Sequence, residues 1–397
     1  MAKRVFWQKP KLRTDEDEGI DRSVTWLELF YDLVFVVVIA GLAHELSVHP
    51  EFSRLPVFLF SMLPVWLVWN GFTYYEERFE TEGFENRLAT FLMMVGVAGL
   101  AVFSHDSLGE NYRGFAGTYL IVRGFIILLW IRAGLHNRIF LRSSLRFTLG
   151  YVTCLALVTV SFFRPEGERM IWWGLGLLAE VIGPWLTVGE TVRLPAFSSD
   201  KLPERFGLMV IIVLGESVAG AIRGIAGEGH VSLPGALRGV LGLMLGFMAW
   251  WLYFDFIGRR RPHREKVVAS WFWSYLHLPL VIVTAVMGAM LAPIVTGDGD
   301  TAAAILAMAA GSFLIILAAL ELTLKQTEDE PTHRVISPLI KTITGAAALL
   351  IASVHASFSI PLFLALLAAL MWVNAGYGLW VWFTQEVDRS GGSSPAT

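Results

Sequence analysis

Twelve stretches of roughly 20 predominantly apolar residues follow one another along a chain of 397 residues, and no other feature constrains the fold as much. A helix crossing the hydrocarbon core needs about that length, because 1.5 Å of rise per residue must cover roughly 30 Å with every backbone amide satisfied internally. The windows lie near 26–46, 54–75, 87–105, 114–133, 146–163, 170–189, 204–223, 235–257, 268–292, 301–324, 336–356 and 359–384. The pattern predicts an all-α, polytopic transmembrane helical bundle of about 12 spans. Because the fifth window is short and the last two nearly touch, 11 or 13 spans are also compatible with it.

Only 16% of the residues are charged, against roughly 25% in a soluble domain, which excludes an ordinary globular enzyme. The 31 basic residues are scattered between apolar blocks, so no nucleic-acid partner is expected. The single cysteine, Cys154, excludes disulfides within the chain and thiolate metal clusters. The first 25 residues carry both charge signs and no short apolar segment before a cleavage site, so this end is expected to be retained.

Basic loops stay cytoplasmic, and 24 of the 31 basic residues fall on one side of the predicted spans against six on the other. Both termini are therefore expected in the cytoplasm, as in an inner-membrane protein. The organisation that follows is a polar tail over 1–25, a transmembrane domain over 26–384 and a Ser/Gly-rich tail over 385–397, both tails read as mobile. Glu28-Leu29-Phe30 at the first span has a short echo in Glu204-Arg205-Phe206 at the seventh. The echo divides the domain into halves 26–189 and 204–384, which would be two six-helix parallel repeats. Helix-entry constraints alone also produce so short a similarity. Tryptophans at 66, 69, 172, 173, 250, 251, 271, 273 and 382 are read as interface anchors, and Gly242 with Gly246 as a close-packing pattern.

The run Trp26-Leu27-Glu28-Leu29-Phe30-Tyr31-Asp32-Leu33-Val34-Phe35 resembles the opening signature of the low temperature requirement protein A family. The segment from Glu204-Arg205-Phe206 through Gly215-Glu216-Ser217 is similar to that family's mid-chain segment. The resemblance extends from about residue 20 to about 385 and implies a bacterial multi-pass membrane protein, with no substrate or reaction attached.

Candidate site residues are the polar groups that the bilayer makes expensive. Thr25-x-x-Glu28 is a capping box, and Asp32 lies one turn further on the same face, so Glu28 and Asp32 could line a vestibule, bind a cation or bond to a neighbouring helix. Arg123, Glu180 and Glu216 fall nearest mid-membrane, where a charge costs about 2.5 to 3.5 kcal/mol on insertion scales, so they are expected to pair or to line water. Arg123 is expected to take a carboxylate partner, Glu216 in preference to Glu180. Two central glutamates against one arginine then leave one protonated, and Glu180, flanked by Leu177, Leu178, Val181 and Ile182, is the choice. His277 is either a proton relay or a packing residue. Asp255 and Glu321 near one set of helix ends, and His44, Glu45, His105 and Asp106 near the other, are explained by water. Pro64 and Pro184 mark kinks that free backbone carbonyls.

Gly215-Glu216-Ser217-Val218-Ala219-Gly220 is only superficially a nucleophile elbow, since its second glycine is one place too far. No metal-binding or phosphate-cradling motif stands out, and no cofactor is implied. The reading that follows is transport of a small solute or ion, coupled to protons if Glu180 carries one. The competing readings are an intramembrane enzyme acting on a lipid-linked substrate and a structural membrane protein. The lipid bilayer is the one partner implied, and oligomeric state is not legible.

Overall fold

The computed structural model describes residues 8–12, 24–80, 83–138, 140–183, 201–227, 232–262, 267–297, 299–325 and 332–384. Helices occupy each of the twelve apolar windows: α1 Trp26–Val48, α2 Arg54–Arg78, α3 Phe84–Val102, α4 Tyr112–His136, α5 Leu141–Ser161, α6 Glu166–Ile182, α7 Lys201–Gly227, α8 Leu233–Tyr253, α9 Val267–Thr296, α10 Asp300–Glu321, α11 Ile336–Ser353 and α12 Ile360–Thr384. Among the described residues, 11 of these helices are long and apolar enough to cross a membrane. The sixth is described for 17 residues. Pro184 and the rest of the sixth window, the tail 385–397 and most of the tail 1–25 lie outside the described residues.

Local chemistry sets several boundaries. Thr25 caps α1 as its sequence requires: its hydroxyl accepts from the Glu28 amide at 3.3 Å while the Glu28 carboxylate accepts from the Thr25 amide at 2.9 Å. Ser232 caps α8 by accepting from the Gly235 amide at 3.0 Å. A wider π turn, Phe254–Gly258, closes α8. Part of the polar N-terminal stretch is held in place. Lys11–Leu12 pairs antiparallel with Phe79–Glu80, the Gln8 amide donates to Glu85 at 2.8 Å, and Arg132 and Asn137 donate to the carbonyls of Gln8 and Pro10.

Packing neighbours within the first six helices are α1–α2, α1–α3, α2–α4, α2–α6, α3–α4, α4–α5 and α5–α6. In the last six they include α7–α8, α7–α9, α8–α12, α9–α10, α10–α11 and α11–α12, and the π turn after α8 packs on α10. The two sets meet where α1 packs on α7 and α9, and α2 on α9. Glycines make the closest crossings. A β-carbon on Gly246 would lie 2.9 Å from Ser217 of α7 and one on Gly242 3.2 Å from Leu291 of α9, so this pair packs α8 as its spacing suggests. A β-carbon on Gly288 of α9 would lie 2.7 Å from the backbone of Glu216 and Ser217 in α7. Gly288→Val is therefore expected to pry α7 from α9 at a cost of about 1 to 3 kcal/mol, read as a lowered thermal unfolding midpoint in detergent. Gly376→Val, facing open space, is the matched control and should not lower the midpoint.

Burial corrects the tryptophan reading. Trp66, Trp69, Trp173 and Trp273 are core residues, all at most 2% exposed, whereas Trp250 and Trp382 are exposed as anchors should be. Period alone does not separate an inward face from a lipid-facing one when every face is apolar.

Candidate functional site: two buried charge networks on one face of the bundle

The first network joins α1 and α2 to α7. Arg205, in the second turn of α7, donates to both carboxylate oxygens of Asp32, at 2.8 and 3.3 Å, and to Glu76 Oε2 of α2 at 2.7 Å. Its Nη1 also lies 3.8 Å from Glu28. One turn earlier, Lys201 Nζ pairs with the same Glu28 oxygen at 2.8 Å. Trp69 Nε1 donates to Asp32 at 2.8 Å. The five charged side chains are buried, so water contributes little to their solvation and mutual pairing must replace it. Among the described residues three carboxylates face two cations, and Glu76 Oε1 and the Tyr31 hydroxyl are buried beside them with no hydrogen-bond partner. The Arg205 guanidinium stands 5.9 Å from the Tyr31 ring centre, on the same cluster. Among the described residues, no three His, Cys, Asp or Glu side chains converge as a metal-ligand set.

The second network joins α8, α10 and α11 on the same face. Glu321 at the end of α10 accepts from Lys341 Nζ at 3.0 Å and from Ser337 Oγ at 3.0 Å, both on α11, and pairs with Arg260 after α8 at 3.2 Å. Arg260 also donates to Thr332 at 2.5 Å, and Lys341 Nζ sits 3.5 Å over the Phe256 ring. Glu321 is thus a buried acceptor and not a solvated helix end, because α11 folds its lysine back over it.

Mid-membrane, Arg123 of α4 forms an ion pair with Glu180 of α6, and both are about 1% exposed. Tyr119, one turn before Arg123, donates to Glu180 Oε2 at 2.5 Å. Arg123 Nη1 donates to the Leu67 carbonyl of α2 at 3.3 Å and its guanidinium covers the Tyr151 ring at 4.1 Å. Gly71 leaves room for this reach, since a β-carbon there would overlap the guanidinium. The expected Arg123–Glu216 pair is not formed: Glu216 pairs instead with Arg223, two turns along its own helix. α6 packs on α2 and α5 while α7 packs on α8 and α9, so Arg123 meets the carboxylate of its own set of six. The expectation that Glu180 stands alone and protonated loses its premise, because the cation is beside it and Tyr119 already supplies a proton donor.

His277 of α9 is buried with both ring nitrogens hydrogen-bonded. Its Nδ1 faces the Trp273 carbonyl at 2.7 Å, which can only accept, so Nε2 accepts from the Tyr253 hydroxyl at 3.0 Å. The Phe206 and Trp273 rings stand 4.9 and 4.7 Å from the imidazole. Phe206 also contacts Trp69 at 5.0 Å, so an aromatic column runs from the Asp32 partner to α9. At the opposite face an exposed His105 pairs with Glu45 at 2.5 Å, while on the network face Asp255 pairs loosely with Arg259 at 3.7 Å.

Sequence reasoning found Glu28 and Asp32 but missed Arg205, Lys201, Glu76 and Lys341 as site residues. The available signal was spacing: Lys201 and Arg205 share one helix face, four residues apart, at the start of an apolar helix.

A bundle of apolar helices with charge networks sealed inside it defines a multi-pass membrane protein. Residues 23–374 match the family described as bacterial low temperature requirement A protein, and the chain belongs to that family. It is 27% identical over 307 residues to an uncharacterized protein of Rhizobium meliloti (strain 1021), a match covering 68% of this chain and 70% of that one. No solved structure matches it.

Proposed function

We propose that this protein moves a small solute or ion across a bacterial inner membrane, with the α1–α2–α7 network as the latch that closes it on one face. The observation that carries this reading is Arg205: a cation from the last six helices held by Asp32 and Glu76 of the first six. The recurrence of packing neighbours supports two repeats of six that can rock about the α1–α7–α9 contact. A buried ion-pair set costs more than a well-packed apolar one, which suits a contact that must break and re-form.

Among the described residues the network carries three carboxylates and two cations, so one proton balances them, and Glu76 with its unpartnered Oε1 is the group to hold it. Glu28, Tyr31 and Asp32 of α1 and Lys201 and Arg205 of α7 face it. In proteoliposomes carrying a pH-sensitive dye, an imposed potential is expected to drive proton movement through the wild type and at least tenfold less through Glu76→Gln. Equal flux in both would remove Glu76 from the path.

Orientation rests on the basic residues, and the strapped segment 8–12 lies with the ends of α2 and α4, on the same face as the two networks. A reporter active only in the periplasm should be silent when fused after residue 397, and activity there would invert the scheme. A structural role is the second reading, favoured by Arg123–Glu180 and Glu216–Arg223, where each mid-membrane charge has an opposite partner.

A further inference from the structure

A groove of about 410 Å³ opens between the first turns of α7 and the π turn after α8, on the face that carries both charge networks. Its walls change character along its length. Pro203, Gly207, Leu208 and Ile211 of α7 and Phe254 of the π turn form an apolar side, while Arg259, Arg260 and Arg261 stand at its mouth with Glu204. Gly207 lets the Phe254 ring lie against α7, since a β-carbon there would already be 3.3 Å from it. Ile211 is 45% exposed on the lipid-facing side of the bundle, and Trp250, tilted against Phe254 at 5.6 Å, is exposed, as an interfacial indole is.

The three arginines are not equivalent. Arg260 turns inward to Glu321 and Thr332, which fixes the backbone of the run. Arg259 and Arg261 are exposed on either side of it, and each has a contact that a phosphate would share, Arg259 with Asp255 at 3.7 Å. A planar guanidinium pairs with phosphate through two parallel donors, and an apolar slot beneath two of them matches an acyl chain beneath its phosphate. Basic pockets between helices on the cytoplasmic side are where anionic headgroups collect.

We propose that this groove binds an anionic phospholipid of the leaflet on the side of the tails, its phosphate at Arg259 and Arg261 and an acyl chain along Leu208 and Ile211. The inference does not depend on transport.

The test is native mass spectrometry of the purified chain in detergent, titrated with phosphatidylglycerol, phosphatidylcholine or inorganic phosphate. Phosphatidylglycerol is expected to stay bound at least tenfold more tightly than phosphatidylcholine, and Arg259→Gln with Arg261→Gln is expected to erase that preference. Arg138→Gln with Arg142→Gln removes the same charge from exposed positions on the same face and should leave the preference intact. Ile211→Trp, which fills the apolar slot without touching a charge, should weaken phosphatidylglycerol alone and covers the case in which the arginine variant does not fold. An equal loss in the Arg138/Arg142 control would reduce the effect to surface charge and overturn the groove. Inorganic phosphate binding as tightly as the lipid would overturn the lipid in favour of a free anion, and unchanged retention in both groove variants would overturn the site altogether.

Discussion

Arg205→Met is expected to be the most damaging single substitution in this chain. It leaves Glu28, Asp32 and Glu76 buried together with Lys201 alone, among the described residues, to oppose them, and breaking a buried pair of this kind costs about 3 to 5 kcal/mol. The thermal unfolding midpoint in detergent should collapse or the chain should fail to accumulate. Arg205→Lys should rescue little, because an ammonium cannot reach Asp32 through two donors and Glu76 through a third. In an Asp32→Asn background the same substitution should cost less, since one orphaned charge is already gone. A midpoint for Arg205→Met close to that of the wild type would mean that water reaches these carboxylates and that no latch exists.

The second large effect is at Arg123. Its loss leaves the buried Glu180 with Tyr119 but without its cation and removes the donor to the Leu67 carbonyl, again about 3 to 5 kcal/mol. Arg123→Ala should cost clearly less when Glu180→Gln is already present, whereas Glu216→Gln should be additive with it, because Glu216 answers to Arg223. Coupling to Glu216 and none to Glu180 would contradict the geometry.

The twelve helices were legible because a bilayer leaves the chain one option: an apolar run of the right length becomes a helix, whatever its partners. The capping box of α1 was legible for a related reason, since it follows from spacing within one helix. What was not legible is which helix lies beside which. Arg123 has two glutamates at similar depth, and only the packing of α4 and α6 around α5 and α2 selects Glu180. Lys201, Arg205 and Lys341 count as loop charges when basic residues are tallied, yet all three are buried in networks that need a second or third helix to exist. The buried tryptophans show the same limit: Trp69 resembles an anchor until its indole is seen donating to Asp32.

The latch itself can be tested by accessibility at Thr73, which is fully buried on α2 one turn before Glu76 and shares its helix face. With Cys154 replaced by alanine, a cysteine at Thr73 can be titrated with a membrane-impermeant maleimide added to the side of the tails. Asp32→Asn combined with Arg205→Gln removes the charges and keeps hydrogen-bonding side chains in both places. Labelling is expected to be slow in the parent and at least tenfold faster in this variant, at an elution profile that shows both to be folded. Equal labelling rates in two folded proteins would contradict the account and leave the network as a fixed structural clamp.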